Sequence, residues 1–110
     1  FIQIIESFNR SAMQKKIEFY VVFNAITPDI LYAKNLNQKK FKKLIIKKIS
    51  QIKSYLEKKE IRYFDYSNYL TKNYNEDNIS IIFKKIDNKW DHYTEKGFNI
   101  LTKEIVSLID

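Results

Sequence analysis

Between residues 38 and about 59, Phe41, Leu44, Ile45, Ile49, Ile52, Tyr55 and Leu56 fall on one stripe, and lysines fill the opposite side. Apolar residues recurring at three and four positions mark an amphipathic helix that must bury one face. Two short apolar runs bracket it, IEFYVVF (Ile17–Phe23) and IRYFDYS (Ile61–Ser67). The first is rich in β-branched and aromatic residues. It is too continuous for a strand with one wet face, so it reads as a parallel strand covered on both sides. Strand, long helix, strand predicts parallel pairing through a right-handed crossover, with Ile17–Phe23 beside Ile61–Asp65.

The flanking segments extend this frame. Phe1, Ile5, Phe8 and Ala12 recur at helical spacing and predict a first helix over residues 1 to about 15. NAITPDILYAKNLNQ holds the only proline, Pro28, and reads as a loop. NYLTKNYNEDN is a polar connection with room for a helical turn, and ISIIFKKI (Ile79–Ile86) is ambiguous between extended and helical, with extended preferred. Phe98, Leu101, Ile105 and Leu108 mark a last helix, with Thr94 as its N-cap and Glu95 in its first turn. No internal repeat or linker divides the chain, so residues 1–110 form one unit of α/β class. Two parallel strands make a poor sheet, since the first presents an open edge. The expectation is that further strands lie upstream.

Composition excludes several function classes. A hydrophobic content of 45% argues for a folded chain, and no apolar run is long enough to span a bilayer. FIQIIESFNR lacks the basic start and cleavage pattern of a signal peptide, and a first residue of Phe1 predicts a piece of a longer polypeptide. The absence of cysteine rules out disulfides and thiolate metal sites without settling the compartment. The net charge of +7 invites a nucleic-acid partner. Against it, Arg10 and Arg62 are the only arginines, and arginine supplies the rigid fork that reads guanine and phosphate. One histidine and one glycine give neither a metal-ligand pattern nor a phosphate-cradling loop, so no metal and no cofactor is expected.

The informative stretch is WDHYTEKGFNIL (Trp90–Leu101), which gathers the only tryptophan, the only histidine and the only glycine. The bland reading makes His92 an exposed loop residue, Trp90 a core anchor and Gly97 a packing concession. The functional reading notes that the stretch precedes a helix N-terminus after strand-like segments, where open parallel sheets gather functional groups. A histidine beside carboxylates can serve as a general base oriented by the acid. Glycine inside a helix costs on the order of 1 kcal/mol relative to alanine, a cost justified by close backbone approach.

DHYTEKGFNILTKEI resembles the last block of the SGNH (GDSL-like) hydrolase and acyltransferase superfamily: an Asp and a His, a small polar residue, a glycine, then an amphipathic closing helix. His92, Thr94 and Gly97 fit those places. IEFYVVFNAITPD and KKEIRYFDYSNYL are similar to the late strands of that family. The resemblance implies a flavodoxin-like three-layer sandwich with a parallel sheet, of which this chain is the C-terminal half. It also implies a serine esterase or O-acyltransferase acting on an ester or acylated carbohydrate, with His92 as base of a Ser-His-Asp triad. The family's usual place for the acid, three before the histidine, holds Lys89, and two before holds Trp90. The available carboxylates are Asp91 and Asp87; Asp91 is preferred, although adjacent side chains diverge unless the backbone turns sharply. The Gly-Asp-Ser nucleophile block has no counterpart, so the upstream half of the domain would supply the serine. The alternatives are a non-enzymatic module whose lysine face meets an acidic partner, and a degenerate SGNH-like domain without its serine.

Overall fold

A computed structural model describes all 110 residues. The elements are α1 (Ile2–Gln14), β1 (Val21–Phe23), α2 (Pro28–Leu31), α3 (Leu36–Lys58), β2 (Tyr63–Asp65), α4 (Tyr66–Asn73), a 3-10 turn (Ile79–Ile81), β3 (Phe83–Ile86), β4 (Lys89–Tyr93) and α5 (Glu95–Ile109). The amphipathic stripe forms α3 within two residues of its expected bounds. Asn35 caps it by accepting the amide of Gln38 at 2.8 Å.

The helix ends show how a chain with one glycine stops a helix. Lys16 and Glu60 take positive φ (56° and 58°) just past α1 and α3. The following amides, of Ile17 and Ile61, close back on Ala12 and Leu56 carbonyls at 2.8 and 2.9 Å. This is the Schellman arrangement that glycine usually serves, made here by non-glycine residues at a local conformational cost.

β1 and β2 pair in parallel, Val21 with Tyr63 through Phe23 with Asp65, and α3 connects them as the crossover. The pairing agrees with the alternation of strand and long helix. The larger architecture does not. The flavodoxin-like three-layer sandwich is overturned, because the chain forms two separate two-stranded sheets, one parallel and one antiparallel. The reason is local. β1 and β2 are three residues each, and Tyr66 already starts α4, capped by Asp65 at 3.2 Å. After Ile86 the chain does not continue towards a parallel neighbour. Asp87 and Asn88 both take positive φ (52° and 61°), the geometry of a two-residue hairpin turn, and the chain returns as β4. The stretch expected as a histidine loop is therefore a strand, and the Pro28 loop contains the short helix α2 with proline at its start.

The core is divided. Ile5, Ile52, Leu56 and Ile61 pack between α1, α3 and the parallel pair. Tyr66, Leu70, Ile79, Ile82 and Phe83 form a second cluster beneath the hairpin and α5. Only 13 of 110 residues are buried, so much apolar surface stays uncovered. No helix is long and apolar enough to cross a membrane.

Candidate functional site at the exit of β1

Three residues hold the hairpin and α5 in place behind the site. Thr94 caps α5 by accepting the Gly97 amide at 3.1 Å, and its own amide donates to the Ile82 carbonyl at 2.7 Å. Gly97 lies against that same carbonyl. A Cβ built on it would stand 2.3 Å from the Ile82 oxygen, closer than real Cβ atoms approach. The phenol of Tyr66, fully buried, donates to the Gly97 carbonyl at 2.6 Å. Burial raises the Tyr66 pKa, so the phenol stays a donor. The only glycine therefore sits where the helix must touch another backbone.

β4 carries a bulge at its functional end. Phe83 faces Tyr93 and Lys85 faces Trp90, so Asp91 and His92 together oppose Lys84 alone. A bulge bends the strand and re-aims its side chains. It supplies the sharp turn that two adjacent residues need in order to meet. Asp91 Oδ2 lies 3.3 Å from His92 Nε2, and the side chains are 44% and 69% exposed. In a Ser-His-Asp triad of the usual form the acid holds Nδ1; here the carboxylate meets Nε2 and leaves Nδ1 open. Asp87 is not brought to the ring. It occupies the hairpin turn, with Asn88 and the strand residues Lys89 to Asp91 between it and His92.

His92 stands beside the exit of β1. A shallow cleft of about 210 Å³ is lined by Asn24, Ala25, Thr27, Phe83, Asp91 and His92, with Tyr93 at its edge. Tyr93 ties the two sheets together: its hydroxyl donates to Asn24 Oδ1 and accepts the Ala25 amide at 3.1 Å. Burial raises its pKa, and the Ala25 amide opposes that shift. Ser67 is committed elsewhere, accepting the Ile26 amide at 2.7 Å. Tyr93 was not singled out from the sequence; its place opposite Phe83 across the hairpin is legible only once Asp87–Asn88 is read as a turn.

A second, larger cleft of about 380 Å³ lies under α3 at the same end of the parallel pair, lined by Lys42, Lys53, Asp65, Ser67 and Asn68 among others. Its charges are engaged internally. Lys53 pairs with Asp65 at 2.5 Å, and Lys42 donates to the Leu31 carbonyl at 2.7 Å. No group of three His, Cys, Asp or Glu side chains converges to hold a metal. Trp90 is half-buried rather than a core anchor, packed edge-on against Phe83 with the Lys85 ammonium 4.7 Å above its ring.

Comparison with known proteins finds no match. No family model fits the chain, and no curated protein or solved structure matches it. None of these comparisons supports the resemblance to the SGNH enzymes, which rests on the residues of the Asp-His block alone.

What the cleft can do chemically follows from its parts. An imidazole with a carboxylate on one nitrogen and an open second nitrogen can take a proton from a hydroxyl or a water and return one to a leaving group. Asn24 is held by Tyr93 with its amide nitrogen free of any intramolecular partner.

Proposed function

We propose that His92 is the general base, and Asp91 its orienting acid, in serine-dependent ester chemistry, either hydrolysis or O-acyl transfer. The observation that carries this reading is the bulge of β4, which turns Asp91 onto His92 beside the exit of β1. In this reading a serine from outside these residues attacks the ester carbonyl, His92 accepts its proton, and the ester C–O bond breaks as the imidazolium returns that proton to the departing oxygen, which leaves as the alcohol. The acyl-enzyme then passes its acyl group to water or to an acceptor hydroxyl activated by the same ring. Asp91, 3.3 Å from Nε2, orients the ring and leaves Nδ1 to take the proton. An ester on a carbohydrate is the substrate class that the SGNH resemblance implies.

The test uses the full-length protein and a simple aryl acetate. His92→Ala lowers kcat/KM by about 10²–10⁴-fold with the fold intact, the usual range for a lost acid–base group. Asp91→Asn lowers it as well, whereas Asp87→Asn leaves it unchanged. Full activity of His92→Ala overturns the reading. A second reading, a binding module for an acidic partner, is favoured by a separate observation: α3 alone carries the chain's whole net charge.

A further inference from the structure

The cleft of about 380 Å³ under α3 lies at the carboxyl ends of the parallel pair, the place where open α/β sheets bind ligands. Its volume falls within the range of small-molecule sites, roughly 300–1,000 Å³. One wall is apolar, made by Ile26, Leu31, Ile46 and Ile49. Lys42 and Lys53 both line the cleft from α3, eleven residues and therefore about 16 Å of helix apart. The cleft is thus elongated along the helix.

Two of its groups are unmatched within the chain. The first is a charge. Lys53 and Asp65 cancel each other at 2.5 Å. Lys42 forms no ion pair: it donates one N–H to the neutral Leu31 carbonyl, so its charge is uncancelled and two donors remain. The second is a proton. Ser67 is only 7% exposed, and its hydroxyl oxygen accepts the Ile26 amide at 2.7 Å. The hydroxyl proton meets no acceptor in the chain, although buried polar groups are ordinarily matched. Ser67 follows Asp65 by two residues, so this donor lies at the Lys53 end, along the apolar wall from Lys42.

Charge and polarity select the ligand. A neutral molecule gains nothing from Lys42. A phosphate monoester brings up to two charges to a single uncancelled cation and sets the surplus against an apolar wall. An aliphatic carboxylate brings one, and an acceptor oxygen at its far end takes the Ser67 proton. We propose that this cleft binds a small aliphatic carboxylate carrying a neutral acceptor oxygen, a carbonyl or a hydroxyl, at the end remote from the carboxylate. The carboxylate pairs with Lys42, the chain lies along Ile26, Ile46 and Ile49, and the oxygen accepts from Ser67. The site is independent of His92 and of the ester chemistry proposed there.

The probes are straight-chain oxo-carboxylates of five, seven and nine carbons, with the ketone beside the terminal methyl. The plain carboxylates and the oxo-amides of the same lengths are the controls. Titration of the full-length protein, followed by amide shifts at Ile26 and Ser67, reads affinity and place together. One chain length binds best, one to one. The matching plain carboxylate binds about fivefold more weakly, and the oxo-amide at least about tenfold. Lys42→Met weakens the oxo-carboxylate by a similar tenfold factor, while Lys47→Met, at an exposed position of α3 outside the cleft, leaves it unchanged. Ser67→Ala abolishes the preference for the oxo-carboxylate over the plain acid, a ratio that survives any loss of overall stability. Ile46→Asp, at a position 49% exposed, keeps the fold by circular dichroism and weakens binding by charge repulsion. Equal affinity for acid and amide, or binding indifferent to Lys42→Met, overturns the proposal. Equal affinity for oxo-carboxylate and plain carboxylate in the parent protein does the same. Inorganic phosphate binding more tightly than any carboxylate makes the cleft a general anion site and overturns it too. No binding of any probe below about 10 mM overturns it outright.

Discussion

Replacing Gly97 with alanine inserts one methyl group between α5 and the Ile82 carbonyl. On helix propensity alone the change stabilises, by about 1 kcal/mol. The structure opposes it. The new Cβ would stand 2.3 Å from the Ile82 oxygen and 3.0 Å from its Cγ2, and the nearer atom is backbone in the second core cluster. Relief requires α5 to move by more than half an ångström. That shift loosens the Thr94 amide bond to Ile82 at 2.7 Å and the buried Tyr66 bond to Gly97 at 2.6 Å. Overpacking costs about 1–3 kcal/mol, and each weakened hydrogen bond about 1 kcal/mol. After the propensity gain, the expected net loss is about 2–4 kcal/mol. Urea unfolding followed by circular dichroism reads this as a lower midpoint at unchanged slope. Asn99→Ala, on an exposed face of α5, is the control and should be neutral or slightly stabilising. A Gly97→Ala protein as stable as the parent would refute the claim that close backbone contact selects this glycine.

Asp65 both caps α4 and pairs with Lys53, so Asp65→Asn should keep the cap and lose the ion pair, while Asp65→Ala loses both. The alanine variant should be the less stable by about 1 kcal/mol, the worth of an N-cap, and equal urea midpoints would deny Asp65 its capping role. Alkaline stability is set by tyrosines. The hydrogen bond to Glu57, followed by burial, pushes the Tyr63 phenol up to about 12, and burial raises Tyr66, Tyr69 and Tyr93. A phenol whose folded pKa exceeds its unfolded value near 10 contributes stability that is whole below pH 10 and is lost as pH climbs towards 12. Phenolate absorbance should therefore rise in two steps, the second coinciding with loss of native ellipticity. A single step near pH 10 with the fold intact would contradict this.

Local pattern made several features legible without any structure. The stripe from Phe41 to Leu56 specifies α3, because a 3.6-residue period needs no partner to be recognised. The apolar runs on either side specify a parallel pair, because a long helix between two strands leaves little other choice. Thr94 and Gly97 were readable as cap and close contact, since each residue type has few uses at a helix start. What the sequence left open depended on partners distant along the chain. Asp87–Asn88 lacks the glycine that usually marks a tight hairpin, so β3 and β4 passed for one extended segment and a loop. The bulge that brings Asp91 to His92 arises from the register of β4 against β3, and register belongs to two strands at once. Whether short strands join one wide sheet or form two small ones is likewise a matter of which edges meet, and only tertiary packing decides that.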